Sequence, residues 1–283
     1  MMAHRMPLKQ PIRLGPTQET LLIPLFARAE ESRRKRPILE DLKAAEMVES
    51  IGWDFQRFNQ RARILACALR AAMFDEWVSE FLREHPAGTV IEIGAGLNTR
   101  FDRLDNGSVH WFDLDLPDVI AARRKFLSDG ERRTMLPASV LDAGWMETVG
   151  RSPGPYFFIA ETVFIYLLEA EVKAALAQIA RNFPRAGVAL DTGSAKAVVG
   201  GNQDFVRRKM AARFAWACDD PRTVESWNIG LRLLESCALA EVTGPLRARL
   251  SLPVRASFRV FGALFPKLTR AYLLNLFEVV PRL

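Results

Sequence analysis

The chain has 283 residues, 49% of them hydrophobic, with a formal net charge of +6 and an isoelectric point near 9.5. That apolar content suffices for a large core and one α/β domain of ordinary size. Cys67, Cys218 and Cys237 lack zinc-site spacing and read as reduced packing thiols of a cytoplasmic protein, and no apolar run approaches the roughly 20 residues of a membrane span.

Residues 1–16 show no periodicity and predict an arm. From Thr17 the pattern is helical: Leu21, Leu22, Leu25 and Phe26 share a face, Pro37 punctuates, and a second helix is expected over 38–49. A third is expected over 58–84, stopped by His85-Pro86. Residues 1–86 thus form the expected arm and helical cap, preceding a core over 87–283.

In the core, strands are expected at 89–93, 109–113, 133–141, 156–160 and 187–191, with helices around 98–104, 116–127 and 169–182 between them. Residues 193–230, rich in Arg, Ala and aromatics, predict a helical lid, followed by strands at 237–243 and 271–279. The expected fold is α/β and Rossmann-like: a doubly wound, mostly parallel seven-stranded sheet with an antiparallel last strand.

The run from Thr89 to Ile93 meets Gly94-Ala95-Gly96, so a buried strand feeds a turn that only glycine can make and that lets backbone approach a ligand. Thr99 stands where a dinucleotide fingerprint places its third glycine, which weakens NAD. Glu92, two residues before Gly94, is the acid of E-x-G-x-G S-adenosylmethionine sites and suits a cationic ligand. About twenty residues on, Asp115 ends the second strand, where a carboxylate can accept both ribose hydroxyls. The competing reading is a plain tight turn, with Asp113 and Asp115 as solvated strand-end acids.

Three segments carry a family resemblance: Glu92-Ile-Gly-Ala-Gly-Leu-Asn-Thr-Arg-Phe-Asp-Arg-Leu104, Trp111-Phe-Asp-Leu-Asp-Leu-Pro-Asp-Val119 and Ala160-Glu-Thr-Val-Phe-Ile-Tyr-Leu167. They resemble the leucine carboxyl methyltransferase family, in its bacterial branch of polyketide carboxyl methyltransferases. The segment from Glu19 to Ala29, Arg70 with Phe74-Asp75, and the ending from Tyr272 to Phe277 are similar too. The resemblance implies S-adenosylmethionine as cofactor, no metal, Arg70 on its methionyl carboxylate, and Asp142 with the Ala143 backbone on its adenine edge. Asp142 is also readable as a turn cap. Ala95 and Leu116 complete the expected cofactor set. Arg33 or Arg34 corresponds to a basic family residue that reaches the cofactor.

Glu161 ends the fourth strand inside an apolar run and needs a partner, either the cofactor's positive end or a local arginine. Glu161 and Tyr166 are the candidate positioning residues of the reaction. Methyl transfer from a sulfonium is an in-line displacement governed by positioning. None of His4, His85 and His110 stands at a strand's carboxyl end, which favours a carboxylate acceptor needing no base. The cations gather at Arg33-Arg-Lys-Arg36 and along Arg247, Arg249, Arg255, Arg259, Lys267 and Arg270 without a nucleic-acid module, so they predict a solvated basic face and a small anionic acceptor. Arg207, Arg208 and Lys209 are lid candidates for a substrate carboxylate. The sequence therefore predicts an O-methyltransferase acting on a small, polyketide-like carboxylate or hydroxyl compound. An NAD-dependent oxidoreductase and a non-catalytic S-adenosylmethionine- or nucleic-acid-binding module are the alternatives.

Overall fold

A computed structural model describes Gly15 and residues 18–281. Apart from Gly15, the expected arm over 1–16 lies outside the described residues, as does His4. Helices α1 (Leu22–Ser32), α2 (Leu42–Ser50) and α3 (Arg61–Glu84) come first. The apolar face predicted for α1 is buried: Leu22, Leu25 and Phe26 pack with Met47, Phe58 and Phe205 in a cluster between cap and lid. Each such side chain contributes about 1.5–3 kcal/mol of burial, so the cap is held chiefly by apolar contact. α2 starts at Asp41, whose side chain accepts the Ala44 N–H. α3 stops at Glu84, because Pro86 disfavours helical backbone at His85.

The core then alternates: β1 (Thr89–Ile93), α4 (Arg100–Leu104), β2 (His110–Asp115), α5 (Pro117–Arg123), β3 (Arg133–Pro137), α6 (Gly144–Val149), β4 (Tyr156–Ala160), α7 (Glu169–Asn182), β5 (Gly187–Gly193) and α8 (Ala195–Arg207). It ends with α9 (Thr223–Ser226), β6 (Leu231–Ala238), α10 (Gly244–Arg249), α11 (Leu252–Leu264), α12 (Pro266–Thr269) and β7 (Tyr272–Val279). The seven strands lie in the order β3-β2-β1-β4-β5-β7-β6, with β7 antiparallel to both neighbours, as expected. Ile91 and Phe158 face one apolar cluster with α6 and α7, while Val90 and Phe157 face another with α3. Burial on both faces is why these strands read as unbroken apolar runs.

Among the boundaries that differ from the expectation, three have a clear physical reason. β3 ends at Pro137 rather than 141, since proline has no N–H for the ladder. β6 spans Leu231–Ala238 rather than 237–243; it is a bulged edge strand whose alternation is blurred by exposed Arg232 and Glu235. The lid is helical in α8 and the short α9, but between them residues 210–218 run without helix. There the Asn202 side chain pairs both backbone groups of Phe214 and replaces a helical ladder (3.0 and 2.8 Å).

Candidate active site

The carboxyl ends of β1 and β4 open into a cavity of about 270 Å³, lined by cap, glycine turn and lid. A second cavity of about 190 Å³ adjoins it towards β2, sharing Thr20, Leu21, Gly94, Thr162 and Tyr166. Gly94 and Gly96 both have positive φ, 62° and 48°. A Cβ at Gly94 would lie 2.4 Å from Val163, and one at Gly96 would lie 2.7 Å from Leu21, so β-carbon-free backbone lets the cap and the β4 loop close on the turn. Buried Arg123 donates to the Ala95 and Gly96 carbonyls (3.2 and 2.9 Å) and pairs with Asp113. Asp113 also pairs with Arg133, so it is a buried anchor of the turn rather than a solvated strand-end acid.

Behind the larger cavity four guanidiniums face four carboxylates. Arg100, with a fully buried side chain, bonds Asp75, Glu92 and Glu161. Arg103 bonds Asp75 and Asp41, and Arg28 bonds Asp41 and the Leu97 carbonyl. Arg70 Nε donates to Glu161 at 2.7 Å. Of the two partners the sequence allowed for Glu161, the structure supplies the arginine, and supplies it twice. Burial pushes the Glu161 carboxyl up, but Arg70 and Arg100 outweigh it and hold it down at about 2. Glu92 is raised by burial against the pull of Arg100, and its Oε2 has no hydrogen-bond partner although the residue lines the cavity.

Asp115 closes the other end. Its two oxygens accept the N–H groups of Gly96 and Leu116, each at 2.7 Å, and burial raises its carboxyl to about 6 against those bonds. Beside it, exposed Leu116 joins Val119, Ala138 and Val140 as an apolar slot. Asp142 and Ala143 reach neither lining: Asp142 is exposed in the turn after β3, accepting the Ser139 N–H at 3.1 Å. Arg33 and Arg34 are likewise outside, paired with Glu30, Glu49 and Glu31, while Arg28 of the same segment lines the larger cavity.

Asp191, Tyr272 and Thr162 form a group that pattern reading missed. Thr162 takes φ 57°, unusual for a β-branched residue, and donates its N–H to both oxygens of Asp191 (3.0 and 2.8 Å). Tyr272 donates its hydroxyl to Asp191, whose carboxyl burial raises to about 6. The strained turn directly follows Glu161 and presents it to the cavity. Tyr166 stands with Phe205 and Phe214 as an aromatic wall (centroids 6.5 and 5.0 Å away), and burial pushes its hydroxyl up to about 12. The lid candidates lie outside both cavity linings: Arg208 pairs with Asp204 at 2.9 Å, Arg207 is exposed and reaches the same carboxylate at 3.8 Å, and Lys209 is exposed.

Sheet order, glycine turn and terminal acid agree with the sequence matches, which make the chain an S-adenosylmethionine-dependent methyltransferase. The chain belongs to the leucine carboxyl methyltransferase family, which residues 22–180 match. It is 34% identical to the tetracenomycin polyketide synthesis O-methyltransferase TcmP of Streptomyces glaucescens, over 81% of this chain and 86% of that one. It is 30% identical to the S-adenosyl-L-methionine-dependent methyltransferase dpfgK of Gibberella zeae, over 80% of this chain and 84% of that one. A DUF574 family protein from Streptomyces avermitilis shares the fold, with a TM-score of 0.58, 13% identity and coverage of 94% of this chain and 100% of that one. The oxidoreductase alternative falls with these matches. The turn agrees, for Thr99 in the third-glycine position is buried and donates its hydroxyl to Asp41. Among the described residues no His, Cys, Asp or Glu cluster can hold a metal ion, and no helix is long and apolar enough to cross a membrane.

Proposed function

We propose that the enzyme methylates a carboxylate oxygen of a small, anionic, polyketide-like acceptor. The observation that carries this is the state of the cavity's acids. Glu92 is bonded to Arg100, Glu161 to Arg70 and Arg100, and Asp204 to Arg63 and Arg208. Held down by their arginines, Glu161 and Asp204 are poor bases, Glu92 is the acid left for the cofactor's ammonium, and Tyr166, raised to about 12, stays protonated at neutral pH. A hydroxyl acceptor needs a base, whereas a carboxylate arrives ionised. The Tyr166, Phe205 and Phe214 wall favours a flat apolar body.

The residues present fit the cofactor. Asp115 would receive the ribose hydroxyls, the slot of Leu116, Val119, Ala138 and Val140 would take the adenine, and Ser139, which lines that slot where Asp142 and Ala143 do not, would meet the adenine's polar edge. Arg70 and Arg28 would hold the methionyl carboxylate, and Glu92 Oε2, which has no partner of its own, would accept the ammonium. When bound, S-adenosylmethionine supplies an electrophilic methyl group; Glu161 and Tyr166 position the acceptor, and no proton need move.

Incubation with labelled methyl donor and matched aromatic acids and phenols tests the reading. A product that loses its label in mild alkali is the expected methyl ester; an alkali-stable label is an ether and overturns it. Cofactor binding should depend on pH through Asp115, because its ionised form accepts the hydroxyls. Affinity for S-adenosylhomocysteine is expected to be constant above about pH 6 and to fall by up to about tenfold per unit below it, measured calorimetrically.

A further inference from the structure

The methyl-transfer site leaves one large surface unused. Residues 242–277 hold six cations and no acid. α11 and α12 run through this stretch without a buried residue, and α11 is anchored to the core by half-buried Val254 and Phe258. Other apolar side chains point outwards: Val260 is 57% exposed, Leu264 66%, Phe265 52% and Leu268 45%. Phe261, also exposed, packs on Phe265 with ring centroids 5.3 Å apart. Single exposed leucines are ordinary, but a contiguous apolar strip rimmed by one sign of charge marks a docking surface.

The partner follows from chemistry. A symmetric contact with a second copy would set Arg259 and Lys267 against the same cations of that copy, an unfavourable juxtaposition for an isologous interface. Nucleic acid would satisfy the cations and leave Leu264 and Phe265 in water. An anionic bilayer surface satisfies both, as a basic amphipathic helix lying in the interfacial plane does. Arg259 and Lys267 are exposed on the strip, while Arg270 is already paired with Glu241. Beside α11 lies a groove lined by Arg34, Arg36, Arg249 and Arg255, in which Arg34 is paired with Glu31.

We propose that α11 and α12 form an interfacial anchor seating the protein on an anionic lipid surface. Val260, Leu264, Phe265 and Leu268 enter the acyl boundary, while Arg259 and Lys267 meet lipid phosphates. Each cation near such a surface contributes enough for roughly a fivefold gain in binding, so the pair gives about 25-fold.

Co-sedimentation of the full chain with vesicles tests this. Binding to vesicles containing phosphatidylglycerol, absent with phosphatidylcholine alone and weakened by salt, is expected. Val260→Asp with Leu264→Asp, and separately Arg259→Glu with Lys267→Glu, should each lower partitioning by about tenfold or more. S-adenosylhomocysteine binding, unchanged in both variants, shows that they fold. Wild-type protein that ignores phosphatidylglycerol vesicles, or variants that partition like wild type, overturn the proposal. So does a concentration-dependent dimer that Leu264→Asp dissolves without any vesicle binding, which assigns the strip to a second copy.

Discussion

Asp115→Ala should weaken S-adenosylhomocysteine binding by at least about 100-fold in calorimetric titration. The proposed ribose contacts are two hydrogen bonds to an ionised, largely desolvated carboxylate, and each such bond is worth about 1.5–3 kcal/mol. The substitution also strips the Gly96 N–H of its acceptor and so loosens the turn. Asp115→Asn keeps the shape and one acceptor oxygen and should lose less. The two variants therefore separate charge from shape. Retention of binding within about threefold in Asp115→Ala would remove the carboxylate from the cofactor site.

The second large effect is expected at Arg100. Its guanidinium holds three carboxylates with no exposed side-chain surface. In Arg100→Met, Asp75 keeps Arg103 and Glu161 keeps Arg70, but Glu92 retains only the Asn98 amide. Breaking a buried pair costs about 3–5 kcal/mol, or about 10 °C of melting temperature in a chain of this size. Glu92, already raised by burial, should then take up a proton. Adding Glu92→Gln removes the orphaned charge, so the double variant should melt above Arg100→Met. Strict additivity of the two changes would show that the residues are not coupled. Glu161 contributes in the opposite sense to pH: held down at about 2, its stabilisation is complete above its ordinary value and fades only as pH falls toward 2.

Much of this site was legible because its signals are local. Glu92, Gly94, Gly96 and Asp115 sit at strand ends, where an apolar run, a glycine turn and a terminal acid point to a binding edge of a parallel sheet. Arg28, Arg100, Asp41 and Asp191 were not legible as site residues. Arg28 lies on a helix face that reads as apolar, and Arg100 opens a short helix like any surface arginine. Asp142 misled in the other direction, because an acid after a strand looks the same whether it faces the cleft or caps a turn, and Pro137 had already ended the ladder.

What the sequence determined by itself was the fold class and the family, since periodicity and turn chemistry depend on neighbours along the chain. Only the tertiary structure decided which charges meet. Four arginines and four acids from α1, the α2 cap, α3, β1, α4 and the end of β4 converge in one buried cluster, and their pairing depends on distances across the fold. It likewise decided that Val260, Leu264 and Leu268 of α11 and α12 point outwards while Val254 and Phe258 pack on the core, because helical amphipathicity gives the existence of a face and only packing says which way it points.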